Sequence, residues 1–260
     1  MINSTFSYAD LEYFLLIFTR VTCFIFIAPF FGMNNTPRRV KIGLGIFVSL
    51  LIFNGITPHE VIEYRTLMEY SIIVMKEAVT GFLVGFGATL CSSIVSFAGH
   101  IIDMEIGLSM VTLMDPTTKE GASISGVFYQ YMVMLMLIIS GMHEYLLKAL
   151  LETFTLIPIN GAVFHMDSLM VSAVRFMSEY IIVGFRICLP VFAVMILLNA
   201  ILGILAKVAP QMNMFAVGIQ LKVLTGLTVL FLTVGMLPGA SSFIFTQMKK
   251  IVVSFVEGMM

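Results

Sequence analysis

Residues 106–121 read I-G-L-S-M-V-T-L-M-D-P-T-T-K-E-G and lie between two long apolar segments. The first half of this stretch is itself apolar, yet it cannot continue a helix. Gly107 loosens the backbone at its start, and at its end Pro116 lacks an amide donor and biases Asp115 towards extended geometry. The chain therefore turns here with side chains that prefer to be dry. Irregular backbone at membrane depth is tolerated only where protein buries it or where it lines a cavity. The expectation is a loop that folds inward between helices.

Composition supplies the membrane. Of 260 residues, 59% are hydrophobic and 11% charged, against about 25% charged in a typical soluble domain. No basic run or aromatic-basic interleaving suits nucleic acid. Cys23, Cys91 and Cys188 lie far apart within apolar runs, which points to free buried thiols rather than a disulfide frame or a C-x-x-C site. Asp10 and Glu12 precede the first apolar run, where a secretory leader would be basic, so that run is expected to stay in the mature protein.

Six principal hydrophobic segments predict an all-α, polytopic, membrane-associated chain of helical hairpins. They cover about 11–31, with Arg20 inside; 42–56, after the positive cluster Arg38, Arg39 and Lys41; 70–102, interrupted by Lys76-Glu77; 124–142; 169–207; and a sixth that ends near Leu237, at Pro238-Gly239. A hydrocarbon core needs roughly 20 apolar residues, so the second segment is short and the third too long for one plain span. Residues 143–168 read as a partly amphipathic connection and 241–260 as an amphipathic helix. Pro190 is expected to kink the fifth segment.

Down the third segment runs a stripe of small residues, Gly81, Gly85, Ala88, Ser92, Ser96 and Gly99. Such a stripe lets another backbone approach closely, either within the chain or at a seam between subunits. In the fifth segment Arg175, Glu179 and Arg186 can share one helix face as a buried charge cluster. Lys and Arg are nearly balanced over alternate loops and Trp is absent, which favours helices packed against other protein over helices packed against lipid.

Signatures of catalysis are missing. Gly85-Phe-Gly87 has no strand before it and no third glycine, and the four histidines, His59, His100, His143 and His165, make no zinc pattern. His100 and Asp103, with Glu105 nearby, could serve a proton or cation path, but polar residues are expected at the entrance to a loop. No cofactor and no metal is expected. Most of the 21 methionines fill apolar cores; Met110 and Met114, on the loop, suit a compliant seal.

Three stretches resemble the R-subunit family of the flagellar export gate and its injectisome counterparts. They are A-P-F-F-G-x-x-x-x-P-R-R-V-K-I-G-L over 28–44, G-x-x-x-x-M-x-x-G-L-S-M-V-T-L-M-D-P over 99–116, and L-N-A-I-L-G-I-L-A-K-V-A-P-Q-M-N-M-F-A-V-G over 198–218. The resemblance covers nearly the whole chain. It implies a single export-gate domain over 1–260, with helices over 1–105, a plug loop over 106–121 and further helices over 122–260. One copy would join P-type and Q-type subunits in a closed helical ring at the bacterial inner membrane, within the flagellar basal body and raised towards the periplasmic side.

The resemblance also implies a non-enzymatic role in a type III secretion channel for unfolded export substrates. The plug would be Gly107, Leu108, Ser109, Met110, Val111, Thr112, Leu113, Met114, Asp115 and Pro116, sealed by Met110 and Leu113 where some members carry Phe. The turn holding Lys207, Pro210, Gln211 and Asn213 would face the cytoplasm, where the B-type switch protein docks. The rival reading is a small-solute secondary transporter with an ion site at Arg175, Glu179 and Arg186. Such transporters usually carry a symmetry-related internal repeat, and the two halves of this chain show no convincing one.

Overall fold

In a computed structural model of the chain, residues 8–33, 36–55, 62, 64–109, 123–211 and 213–260 are described. Among these the regular structure is helical throughout. The elements are α1 (Tyr8–Ile27), α2 (Arg38–Gly55), α3 (Leu67–Ile106), α4 (Ile124–Ile139), α5 (Met142–Leu156), α6 (Met166–Val208), α7 (Met214–Thr233), a 3-10 turn (Val234–Met236) and α8 (Leu237–Glu257).

Helix ends have local causes. The Ser123 side chain accepts from the Gly126 amide to cap α4, and Asn213 accepts from Ala216 to cap α7, each supplying an acceptor to a donor with no intrahelical partner. Gly141, at φ 76°, lies between α4 and α5, which are bent by 67°; glycine takes this left-handed conformation without steric cost. Residues 143–168 are thus no mere connection, since α5 occupies their first half. Pro238 does not end the sixth segment. It sits in the first turn of α8, where amides lack intrahelical partners and a proline removes nothing.

Among the described residues, three helical runs are long and apolar enough to cross a membrane, Leu67–Ile106, Met166–Val208 and Ala216–Glu257, and a fourth arises if α4 and α5 count as one bent span. The six segments expected from hydropathy therefore exceed the span-like helices. Asp10, Glu12 and Arg20 break up α1, and Arg38, Arg39 and Lys41 open α2, so neither helix offers a long uncharged run.

The helices group into two compact units, one of Met1–Leu90, Gly141–Arg175 and Gln247–Met260, the other of Cys91–Ser140 and Phe176–Thr246. In the first, Leu16, Val21 and Phe24 of α1 are fully buried, as are Leu146 of α5 and Met248 of α8. α1 packs along α2, where a Cβ on Gly45 would lie 2.8 Å from the Thr22 methyl. The amides of Val163 and His165 donate to the carbonyls of Met259 and Gly258, at 3.0 Å each, tying down the end of the chain. In the linker before α3, the Tyr64 hydroxyl donates to the Glu12 carboxylate at 2.6 Å, and that bond pushes the phenol pKa up to about 12.

In the second unit Ile94 and Ile102 of α3, Leu137 of α4 and Met195 of α6 are buried. The Tyr180 hydroxyl donates to the Ser93 carbonyl at 3.2 Å, with its ring 5.4 Å from that of Phe97. Large apolar side chains stay exposed along α6 and α7, among them Leu189, Leu197, Ile204, Leu224 and Phe231. The three thiols are free, with Cys91 and Cys188 buried.

Candidate functional site

The described part of the central loop is its two stems, and both rest on Asp103. Beyond the end of α3, Gly107 turns the backbone at φ 90° while its amide donates to the Asp103 carbonyl at 3.0 Å. Only glycine takes that φ freely, so the chain leaves the helix within one residue. The Ser109 hydroxyl donates to the same carbonyl, also at 3.0 Å.

On the far stem, the Ser123 hydroxyl donates to Asp103 Oδ2 at 2.7 Å, and the Ser125 amide reaches Oδ1 and Oδ2 at 3.3 and 3.2 Å. Asp103 is 4% exposed, and a carboxylate so buried must be hydrogen-bonded. Its side-chain partners here are neutral donors at the N-terminus of α4, where the helix dipole favours an anion. The described residues on either side of 110–122 thus share Asp103 as a partner.

Two close helix contacts hold this base in its unit. A Cβ on Gly99 would fall 2.1 Å from Gly126 Cα, so α3 and α4 touch backbone to backbone. A Cβ on Gly226 would fall 2.6 Å from the side chain of Ile106, the fully buried last residue of α3, so α7 closes on the same point.

Of the expected plug residues, Gly107, Leu108 and Ser109 are half-buried on the first stem, while Met110, Val111, Thr112, Leu113, Met114, Asp115 and Pro116 lie outside the described residues. Lys207, in the last turn of α6, and Pro210, Gln211 and Asn213, between α6 and α7, are exposed. The small-residue stripe meets helices of this chain. A Cβ on Gly81 would sit 2.0 Å from the Arg20 carbonyl oxygen, and one on Gly85 3.0 Å from that of Phe24, both in α1, while Gly99 meets α4. Ala88 is buried and Ser92 and Ser96 are half-buried. The exposed His100 ring lies 2.7 Å from the Ser96 carbonyl, while the Asp103 carboxylate is taken up by the α4 terminus.

The expected buried charge cluster is not buried. Arg175 and Arg186 are exposed and Glu179 is half-buried. Spacing along one helix aligns side chains on a face but does not say whether that face is covered. Arg20 of α1 and Glu77 of α3 are instead a buried ion pair, both 0% exposed, with Nε to Oε2 at 2.6 Å. Arg20 Nη1 also donates to the carbonyls of Thr153 and Ile157, at 3.1 and 2.9 Å, and the Phe154 ring centroid is 4.4 Å from the guanidinium. The Asn160 amide donates to Glu77 Oε1 at 3.0 Å, with Asn160 itself at φ 66°. Each charge stands inside an apolar run of the sequence, which is a visible signal. Their separation of 57 positions hides the pairing.

Span-length apolar helices, close glycine contacts and buried, fully engaged carboxylates define a polytopic helical membrane protein. The chain belongs to the family of bacterial export proteins, family 1, which it matches over residues 11–248. It is 30% identical over 212 residues to the flagellar biosynthetic protein FliR of Bacillus subtilis (strain 168), a match covering 81% of each chain. It is 27% identical over 246 residues to that of Aquifex aeolicus (strain VF5), covering 94% of this chain and 93% of the relative. With that of Escherichia coli (strain K12) the identity is 25% over 211 residues, covering 81% and 80%.

Proposed function

We propose that the chain is a structural subunit of the flagellar protein export gate in the bacterial inner membrane. Together with P-type and Q-type partner subunits it forms the channel that passes unfolded export substrates, and residues 106–116 are the apolar plug of that channel. The observation that carries this reading is the double anchorage on Asp103, which presents the loop from a fixed base between packed helices. A compliant apolar constriction blocks ions by dewetting when empty, with no charged gate.

The exposed apolar surface of α6 and α7 suits neighbouring subunits or lipid. The turn with Lys207, Pro210, Gln211 and Asn213 faces the cytoplasm and receives the B-type export-switch protein. The family is one of export proteins rather than enzymes, and the driving energy comes from the proton motive force and a separate ATPase complex. Deleting residues 108–114 tests the plug. Cells should leak ions while the gate complex still assembles; a normally assembled complex with unchanged membrane conductance would remove the plug from the account.

A further inference from the structure

Where α7 gives way to α8 the second unit contains a pocket of about 300 Å³, lined by Tyr129 of α4, Val183, Arg186 and Ile187 of α6, and residues of the helix break that include Met236 and Leu237. We propose that this pocket is a lipid site, which takes a segment of one acyl chain of an anionic phospholipid while Arg186 holds the phosphate.

The pocket follows from the break itself. The helix stops at Thr233, passes through a 3-10 turn and restarts at Leu237. Gly239, in the lining, puts no side chain into the space, since a Cβ there would meet nothing within 4 Å. Buried Tyr129, Val183 and Leu237 form the floor, and exposed Arg186 and Met236 mark the mouth.

The lining is mostly apolar, and its two hydroxyls are already engaged. The hydroxyls of Tyr129 and Thr233 pair with each other at 3.1 Å, and Thr233 also donates to the Leu230 carbonyl at 3.0 Å. Apolar cavities of about half this volume stay dry and bind benzene, and 300 Å³ is the lower end of small-ligand sites. Methylenes suit such a lining better than a polar headgroup does. Arg186 is the one charged residue of the lining, and among the described residues it joins no salt bridge. A guanidinium takes phosphate through two parallel hydrogen bonds, and basic pockets between membrane helices hold anionic headgroups. Tail and head chemistry thus meet at one mouth, on α6 and the α7–α8 run, two of the span-length segments.

Native mass spectrometry of the full-length protein in detergent, titrated with phosphatidylglycerol or phosphatidylcholine, tests the site. The wild type should retain one phosphatidylglycerol at about tenfold lower lipid concentration than phosphatidylcholine, a preference worth about 1.4 kcal/mol. Arg186→Ala should abolish that preference and Arg186→Lys should keep most of it; both change an exposed residue and leave the core intact. Ala240→Phe, which fills the pocket, should stop retention of both lipids. Equal retention of the two lipids by the wild type, or a preference that survives Arg186→Ala, would overturn the proposal. So would a cysteine at position 240 that cross-links to another polypeptide in the assembled apparatus.

Discussion

α3 carries the same pair of residues near each end, in opposite order. Glu77 is followed one turn later by Gly81, and Gly99 is followed one turn later by Asp103. In both places the glycine lets a second helix touch α3 through its backbone, and the acid is buried beside the crossing. What neutralises the acid differs. Glu77 faces the Arg20 guanidinium and one amide, whereas the carboxylate of Asp103 faces a hydroxyl and an amide at the start of α4.

The difference sets what each node tolerates. Removing one partner of a buried ion pair strands the other charge in a low-dielectric interior, although replacing both partners with apolar groups can be neutral. A carboxylate held by neutral donors strands only those donors when it is lost, and a neutral acceptor of the same shape can take its place. The first node therefore tolerates the loss of one partner least, and the second, beside the stems of the proposed plug, tolerates it better.

The sharpest way to break this comparison is Glu77→Ala, expected to destabilise the protein by about 3–5 kcal/mol in urea or thermal unfolding of the purified chain. Replacing Arg20 by Met together with Glu77 by Leu should recover most of that. A double variant as unstable as the single would deny the pairing its weight. Next comes Gly81→Ala, which forces α1 off α3 and should cost about 1–3 kcal/mol. Gly43→Ala, with nothing within 4 Å of the added carbon, should instead gain up to about 1 kcal/mol from helix propensity. The smallest effect belongs to Asp103→Asn, which keeps a side-chain acceptor and should cost about 1 kcal/mol. A loss as large as that of Glu77→Ala would make Asp103 a charge node too and erase the contrast.

Some of this can be read in the sequence and some cannot, for reasons of range. Helical class, the small-residue stripe and the end of α3 at Gly107 are local properties, set by side-chain volume and by glycine. Ser109 and Ser123 flank the loop in plain view, but their common partner is settled only by how α3 meets α4. The charges show the limit best. Spacings of four and seven along one helix single out Arg175, Glu179 and Arg186, which end up exposed or half-buried. The pair that is buried joins two helices across 57 positions, and no periodicity connects them. Hydropathy likewise marks α1 and α2 as segments, because it averages over charges that keep them from being plain spans.

In the proposed gate, residues 106–116 sit inside a protein-walled channel. The most direct test is a photo-crosslinking amino acid at position 110 in the assembled export apparatus, with an export substrate stalled in transit. Adducts to the substrate and to partner gate subunits are expected, with loss of the substrate adduct when no substrate is supplied. Adducts to phospholipid alone, whether or not substrate is present, would contradict that placement.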